Sequence, residues 1–250
     1  QFGGAPLTQQ GQVLNADQLQ QLAKRWGATE LPSMDHLADI LVDGAIVGVA
    51  RGRSEYGPRA LGHRSLLATA HLTEQKGRLN RLKHRQWYRP CAPIVRSEDL
   101  NLVFEAGTDI LSSSPYMSFA PPLQNWTQKW LPAISHLDNT ARPQGVRKRD
   151  DYWMHTLLSK VRARMSNVYV RLCERHGCDA DNMPIPVGLL INTSFNGKNQ
   201  PIIGDALDAL LMFCSGHGEE LDYVLLEERW LFDRHSAVAR GLCLDRPQTT

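Results

Sequence analysis

The run AIVGVA, residues 45–50, is short, apolar and β-branched, and it follows a segment that opens with Ser33 and closes with Gly44. A serine, then Leu37, Ile40 and Leu41 at helical spacing, then a glycine, is the pattern of a capped amphipathic helix. Helix, glycine and buried strand in that order restrict the chain to a layered α/β arrangement. The same pattern recurs. NADQLQQLAKRWG predicts a helix from an Asn15 cap to a Gly27 stop, and DDYWMHTLLSKVRARMSNVYVRLCERHG predicts the longest helix, ended by Gly177. PVGLLINTS reads as a buried strand running into the polar turn NTSFNGKNQP, and DALDALLMFCSG as a helix. TEQKGRLNRLKHRQWY reads as a helix capped by Thr73. CAPIVR is a strand that Pro90 and Pro93 confine to a sheet edge or to the strand's start. LDYVLLEERWLF reads as one closing strand, and residues 107–132, rich in Ser, Pro and Trp, as a long loop carrying a short strand. Strands alternating with helices predict an α/β fold with a mixed twisted sheet and flanking helices.

A length of 250 residues with 42% apolar content supports one large domain or two small ones with a true core. The net charge is only +2, yet it is unevenly placed. Residues 51–89 carry eight arginines and two lysines against Glu55 and Glu74, a local charge of +8. Such a patch on a nearly neutral chain points to a discrete anionic ligand rather than to a general polyanion. The five cysteines, 91, 173, 178, 214 and 243, form no CxxC and no zinc pattern, and read as reduced thiols in a cytoplasmic protein. No apolar run reaches membrane-spanning length, so no membrane partner is expected.

Three clusters carry the chemistry. The first is RGRSEYGPRALGHRSLL, 51–67, joined to NRLKHRQWYRPCAP, 80–93. Gly57 and Gly62 let backbone N–H groups approach a ligand, and Arg53, Glu55, Arg59 and Arg64 surround that turn. Lys83, Arg85 and Arg89 follow, each suited to phosphate oxygens. Arg59, Arg64 and Arg89, tied to glycine or proline geometry, are the stronger candidates; Arg78 and Arg81 read as a solvated helix face. The second is SHLDNTARPQGV, where an extended chain would place His136, Asp138, Thr140, Arg142 and Gln144 on one face. An edge strand turned to water is the alternative reading of that face, and His-x-Asp lacks a third ligand for a metal. The third is LLINTSFNG, whose Asn192, Thr193, Ser194 and Asn196 supply amide and hydroxyl groups at a strand end. Ordinary turn chemistry explains the third cluster as well, when it is taken alone.

GRSEYGPRALGHRSLL, NRLKHRQWYRPCAP, HLDNTARPQ and INTSFNGKNQPI, in that order, resemble the C-terminal domain of the carbamoyltransferases, a family that includes nodulation-factor and antibiotic O-carbamoyltransferases. The resemblance spans about residues 30–235. It implies a YrdC-like domain over 31–250 that makes carbamoyl-adenylate from carbamoyl phosphate and ATP, with magnesium expected alongside ATP. It also implies an upstream ATPase-like domain, or partner chain, that holds a metal and passes the carbamoyl group to a hydroxyl-bearing small-molecule acceptor. Residues 1–30 would then be the tail or linker of that domain, absent from this chain, so that the chain alone would not complete the transfer. Within the resemblance Arg59, Arg64, Lys83 and Arg89 are catalytic, and Arg53, Glu55, Gly57, Arg85, His136, Asp138, Thr140, Arg142, Asn192, Thr193, Ser194 and Asn196 bind carbamoyl phosphate or nucleotide. No metal ligand is assigned in this chain. The sequence departs from the family at His63, where Asn is usual, at Cys91, where Phe is usual, and at Gln200, where an acidic residue is usual. Two other readings stand beside this one: an RNA-binding YrdC-like module, against which the aromatics are not interleaved with the arginines, and a non-catalytic remnant acting as a subunit.

Overall fold

The computed structural model describes residues 15–105, 115–178, 183–215 and 220–243. Residues 1–14 of the expected tail, and 107–114 at the start of the expected 107–132 loop, lie outside them.

The chain opens with helix α1 (Ala16–Trp26), capped by Asn15, whose side chain accepts the N–H groups of Asp17 and Gln18, and stopped by Gly27 at φ 66°. Leu19 and Ala23 of α1 join the core, and Trp26 meets Phe232 edge-on. Strand β1 (Thr29–Glu30) follows, so residues 15–30 pack on the domain rather than leading up to it. Helix α2 (Met34–Val42) carries the expected Ser33 cap on the His36 N–H. Strands β2 (Val47–Ala50) and β3 (Arg64–Ala68) are buried at every position, as strands covered on both faces must be.

Helix α3 (Gln75–Leu82) starts two residues after Thr73 without a side-chain cap and ends sooner than its periodicity suggests. His84, at φ 46°, turns the chain out of the helix, which puts Lys83 and Arg85 on a loop rather than on a helix face. Strand β4 (Ala92–Arg96) lies inside the sheet, between β5 and β6. Pro93 is tolerated because it is the second residue, one before pairing with β5 begins at Ile94. Helix α4 (Leu100–Val103) precedes the expected long loop, and α5 (Thr127–Trp130) with the bridges Phe104–Leu123 and Pro122–Thr140 organises the described part of that loop. Strand β5 (Gln144–Val146) precedes α6 (Tyr152–His176), the longest helix, which starts on the Asp151 cap and ends at Gly177 as predicted. Strand β6 (Leu189–Ser194) and helix α7 (Ala206–Cys214) come next, then β7 (Tyr223–Leu226), β8 (Trp230–Asp233) and α8 (Arg234–Ala239).

The last segment corrects the expectation of one closing strand. It is a hairpin whose three-residue connection is Glu227–Arg229, with Glu227 and Glu228 both at positive φ. Glu-Glu carries none of the Asn, Gly or Asp that signals such a turn. The cysteine expectation is corrected as well: Cys173 pairs with Cys178, and Cys214 with Cys243, leaving Cys91 as a buried thiol. The bend at Gly177 returns Cys178 onto the last turn of α6, which spacing along the sequence does not reveal.

Among the described residues eight strands form one sheet in the order β1-β8-β7-β2-β3-β6-β4-β5. The pairs β2–β7 and β4–β5 are parallel and the others antiparallel. This is the mixed twisted sheet with flanking helices expected of a YrdC-like domain. Helix α2 packs along α6, and Arg164 bridges them by bonding Asp35 and Asp39. The ladder fixes where the ends of the strands fall. Ala50 pairs with Arg64, Ser65 with Ser194, Ala92 with Asn192, and Ile94 with Gln144. Loop 51–63, turn 194–196, loop 83–91 and segment 142–144 therefore gather at one end of the sheet. Turn 227–228 joins them, since Ala50 pairs with Leu226.

Candidate anion-binding site

The loop between β2 and β3 is held from inside by one carboxylate. Glu55 Oε1 accepts the backbone N–H groups of Leu61, His63 and Arg64 at 2.6, 2.8 and 3.2 Å. Gly57 and Gly62 take φ values of 125° and 107°, where only glycine is unstrained. Arg64 does not project from this loop. It is fully buried and donates to the carbonyl oxygens of Arg51, His63 and Gly52. Arg51 is buried too, donating to the Gly62 carbonyl at 2.9 Å, pairing with Asp151 and Glu228, and lying over the Trp153 ring. His63, the departure from the family pattern, faces the Arg51 carbonyl and Asp151, and burial pushes its imidazole below its ordinary range. The density of arginine at the strand mouth thus divides into an inner pair, Arg51 and Arg64, that fixes the backbone, and the outer Arg53 and Arg59, which are exposed.

Lys83 leaves the end of α3 and crosses to the end of β6. Its ammonium lies 2.6 Å from the Ser194 carbonyl, 2.9 Å from the Ser194 hydroxyl, and 3.2 and 2.6 Å from the carbonyl and Oδ1 of Asn196. Burial, then the neighbouring Arg85 guanidinium, brings the Lys83 amine down to about 7. Arg85 donates to Asn80 Oδ1 at 2.5 Å and to Cys91 Sγ at 3.1 Å. Asn80 also donates to the carbonyls of Trp87 and Arg89, which shapes the exposed loop 84–89. The small Cys91 thiol, where a Phe is usual, gives Arg85 an acceptor.

His136, Asp138 and Thr140 are not spread along one face of a strand. Asn139, at φ 58°, folds 136–140 into a turn closed by the His136 N–H on the Thr140 carbonyl at 2.9 Å. The Thr140 hydroxyl donates to Asp138 Oδ1 at 2.8 Å and faces His136 Nδ1 at 3.0 Å. With the hydroxyl proton directed at Asp138, Nδ1 carries the ring hydrogen and Nε2 is the bare acceptor, buried without a hydrogen-bond partner. Burial lowers the His136 pKa, which favours that neutral ring. Lys76 donates to the Ser135 carbonyl beside it. Asn192 is buried in the sheet and acts as a strut: its Nδ2 donates to the Ala60 carbonyl at 3.0 Å and to Gln144 Oε1 at 2.7 Å, and Gln144 in turn donates to the Leu61 carbonyl at 2.8 Å. Thr193 sits opposite Leu66 in the ladder.

The electrostatics join these pieces into a row. Arg59 lowers the pKa of Arg142 after burial has done so, and Arg142 and Lys76 act in the same direction on His136. Lys76, Lys83 and Arg85 all bear on Cys91, whose thiol burial pushes up. Arg59 thus acts on Arg142, and Arg85 on Lys83, as like charges, Lys76 acts on His136 and Cys91, and the nearby Asp138 is already engaged by Thr140. Among the described residues no three His, Cys, Asp or Glu side chains converge as for a metal, and no helix is long and apolar enough to cross a membrane. A cavity of about 430 Å³ bordered by Gln200, Ile203, Leu211 and Met212 lies beside the 194–200 turn and contains none of these cations.

Reading from the sequence did not find Lys76, the Arg51 hub, Asp151, or the Glu227–Glu228 turn. Arg51 stood out only as charge, and the two glutamates and Asp151 become partners of the loop only through the fold.

Fold and site together define a mixed α/β domain with a cation row at one end of its sheet. Residues 38–172 match the family described as "Carbamoyltransferase C-terminus". The chain belongs to that family. It is 34% identical over 199 residues to the nodulation protein NolNO of Sinorhizobium fredii, covering 78% of this chain and 26% of that protein. It is 39% identical over 208 residues to the 3'-hydroxymethylcephem-O-carbamoyltransferase of Streptomyces clavuligerus, covering 82% of this chain and 34% of that enzyme. The chain therefore spans about a quarter to a third of the length of these relatives. Full-length HypF, solved in a phosphate- and nucleotide-bound form, shares the fold with a TM-score of 0.50 at 18% identity, over 82% of this chain and 26% of that one.

Proposed function

We propose that this domain binds carbamoyl phosphate and ATP and joins them into carbamoyl-adenylate, which an upstream ATPase-like domain then uses to carbamoylate a hydroxyl of a small molecule. The observation that carries the reading is the set of cations that the ladder brings to this end of the sheet, Arg59 from loop 51–63, Arg142 from segment 142–144, and Lys83 and Arg85 from loop 83–91, with Arg59 acting on Arg142 and Arg85 on Lys83 as like charges. Such crowding is relieved by a polyanion, and phosphate oxygens match guanidinium and ammonium donors. Atom balance sets the steps. Water displaces phosphate from carbamoyl phosphate, leaving carbamate. A carbamate oxygen attacks the α-phosphorus of ATP, and pyrophosphate departs with its bridging oxygen. Both steps move charge onto phosphate leaving groups, and positioned cations accelerate them without a protein nucleophile. Ser194 and Asn196, already bound to Lys83, would set its ammonium against one leaving group, and Arg59 and Arg142 would face the other. Among the described residues no three His, Cys, Asp or Glu side chains converge, so Mg2+ would arrive on the oxygens of ATP, and no step is assigned to it.

The test is carbamoyl-phosphate-dependent exchange of labelled pyrophosphate into ATP. Arg59→Ala should abolish it, and exchange at the unaltered rate would sink the assignment. The RNA-binding reading predicts instead a steep fall of RNA affinity with salt.

A further inference from the structure

Glu227 and Glu228 are the two central residues of the β7–β8 turn, at φ 49° and 59°. Two consecutive positive φ values are the demand of a type I′ turn, which Asn-Gly meets without steric cost. Residues with longer side chains are strained there, and strain of this kind persists where the surroundings enforce it. The side chains show what enforces it. Glu227 Oε2 accepts the Gly52 N–H at 3.1 Å, while the Glu227 N–H donates to the Ala50 carbonyl at 2.8 Å. Glu228 Oε1 accepts from Arg51 Nη1 at 3.2 Å. Arg51 holds the far end of the same loop through the Gly62 carbonyl. Both ends of residues 51–62 are thereby fastened to one hairpin turn, and the exposed Arg59 lies between them.

We propose that Glu227 and Glu228 are positioning residues that hold the 51–62 loop in the shape that presents Arg59 to an anion. The proposal rests on reading the site as one for carbamoyl phosphate and ATP. A turn kept strained for the sake of a loop should trade stability for binding.

The experiment replaces the pair with Asn-Gly in the full chain and measures Tm by calorimetry and the Kd of carbamoyl phosphate and of ATP by titration. Relief of the turn should raise Tm by about 2–4 °C. Release of Gly52 and Arg51 should weaken at least one Kd by about tenfold. Glu227→Gln keeps an oxygen for the Gly52 N–H and should hold both Kd values within about threefold. Unchanged affinity in the Asn-Gly chain overturns the proposal whichever way Tm moves. Absence of binding by the unaltered chain is a separate result: it overturns the reading of the site, and this proposal with it.

Discussion

The Lys83 ammonium lies 2.6 Å from the carbonyl oxygen of Ser194 and 2.9 Å from its hydroxyl, bridging the loop after α3 to the end of β6. These are charge-assisted contacts, yet burial and Arg85 hold the amine at about 7, well below the ordinary value near 10.4.

That balance gives opposite pH signs for stability and for binding. Between about 7 and about 10 the unfolded chain keeps the Lys83 proton and the folded chain does not, so this residue makes the unliganded fold more stable as pH rises through that window. An anion needs the ammonium, so affinity for carbamoyl phosphate should fall over the same window, with proton uptake on binding. Titrations in buffers of different ionisation enthalpy read that uptake. Lys83→Met should lower affinity by about 10- to 100-fold and flatten the pH dependence. A pH profile unchanged in Lys83→Met would assign the titration elsewhere.

Arg59 acts as a like charge on the partly buried Arg142, second only to burial in lowering its pKa. Either one changed to Gln should therefore raise Tm slightly while weakening ATP or carbamoyl phosphate binding by about tenfold. The double variant should be less stabilised than the sum of the singles, because the repulsion can be removed only once. Thermal melts with and without ligand check both statements.

Arg64 behaves as an interior brace. Arg64→Met leaves the carbonyls of Arg51, Gly52 and His63 without this donor and should cost roughly 3 kcal/mol or more in unfolding free energy. Urea denaturation measures it. A loss of binding with full stability would instead place Arg64 against the ligand.

Asn192→Asp would set a carboxylate against the Ala60 carbonyl and Gln144 Oε1, both of which now accept from the amide. Buried repulsion of that kind should destabilise by roughly 3 kcal/mol or more, with most of the loss recovered at low pH as the acid takes a proton. A fold as stable as the unaltered chain near neutral pH would show that the strut is dispensable.

Helices announced by local chemistry were legible in the sequence. Asn15, Ser33, Gly27 and Gly177 act at the ends they predict, because caps depend on residues within one turn. Strands β2 and β6 were legible from their apolar runs. The hairpin at Glu227–Glu228 was not, because what supports its backbone is Gly52 and Arg51, about 175 positions away. The turn at 136–140 is not legible, because alternation of polar residues fits a strand as well as an Asn139 turn. Motif reading gathered Arg59, Lys83, Arg85, His136 and Arg142 without telling a cation that faces outward from one that fastens backbone. Arg64 shows the difference: its place in the ladder opposite Ala50 turns it inward.

The ladder has a further consequence. Ala50 and Arg64 are direct partners in the antiparallel pair β2–β3, so the chain leaves the sheet and re-enters it on the same rung. Everything between them is an excursion whose length the sheet does not register. Residues could be added or removed around Gly57 without shifting a single strand pairing, and loop closure grows more costly only slowly with length. Ligand preference in this domain can therefore drift in evolution, or be rewritten by design, while the barrier to folding stays where it is.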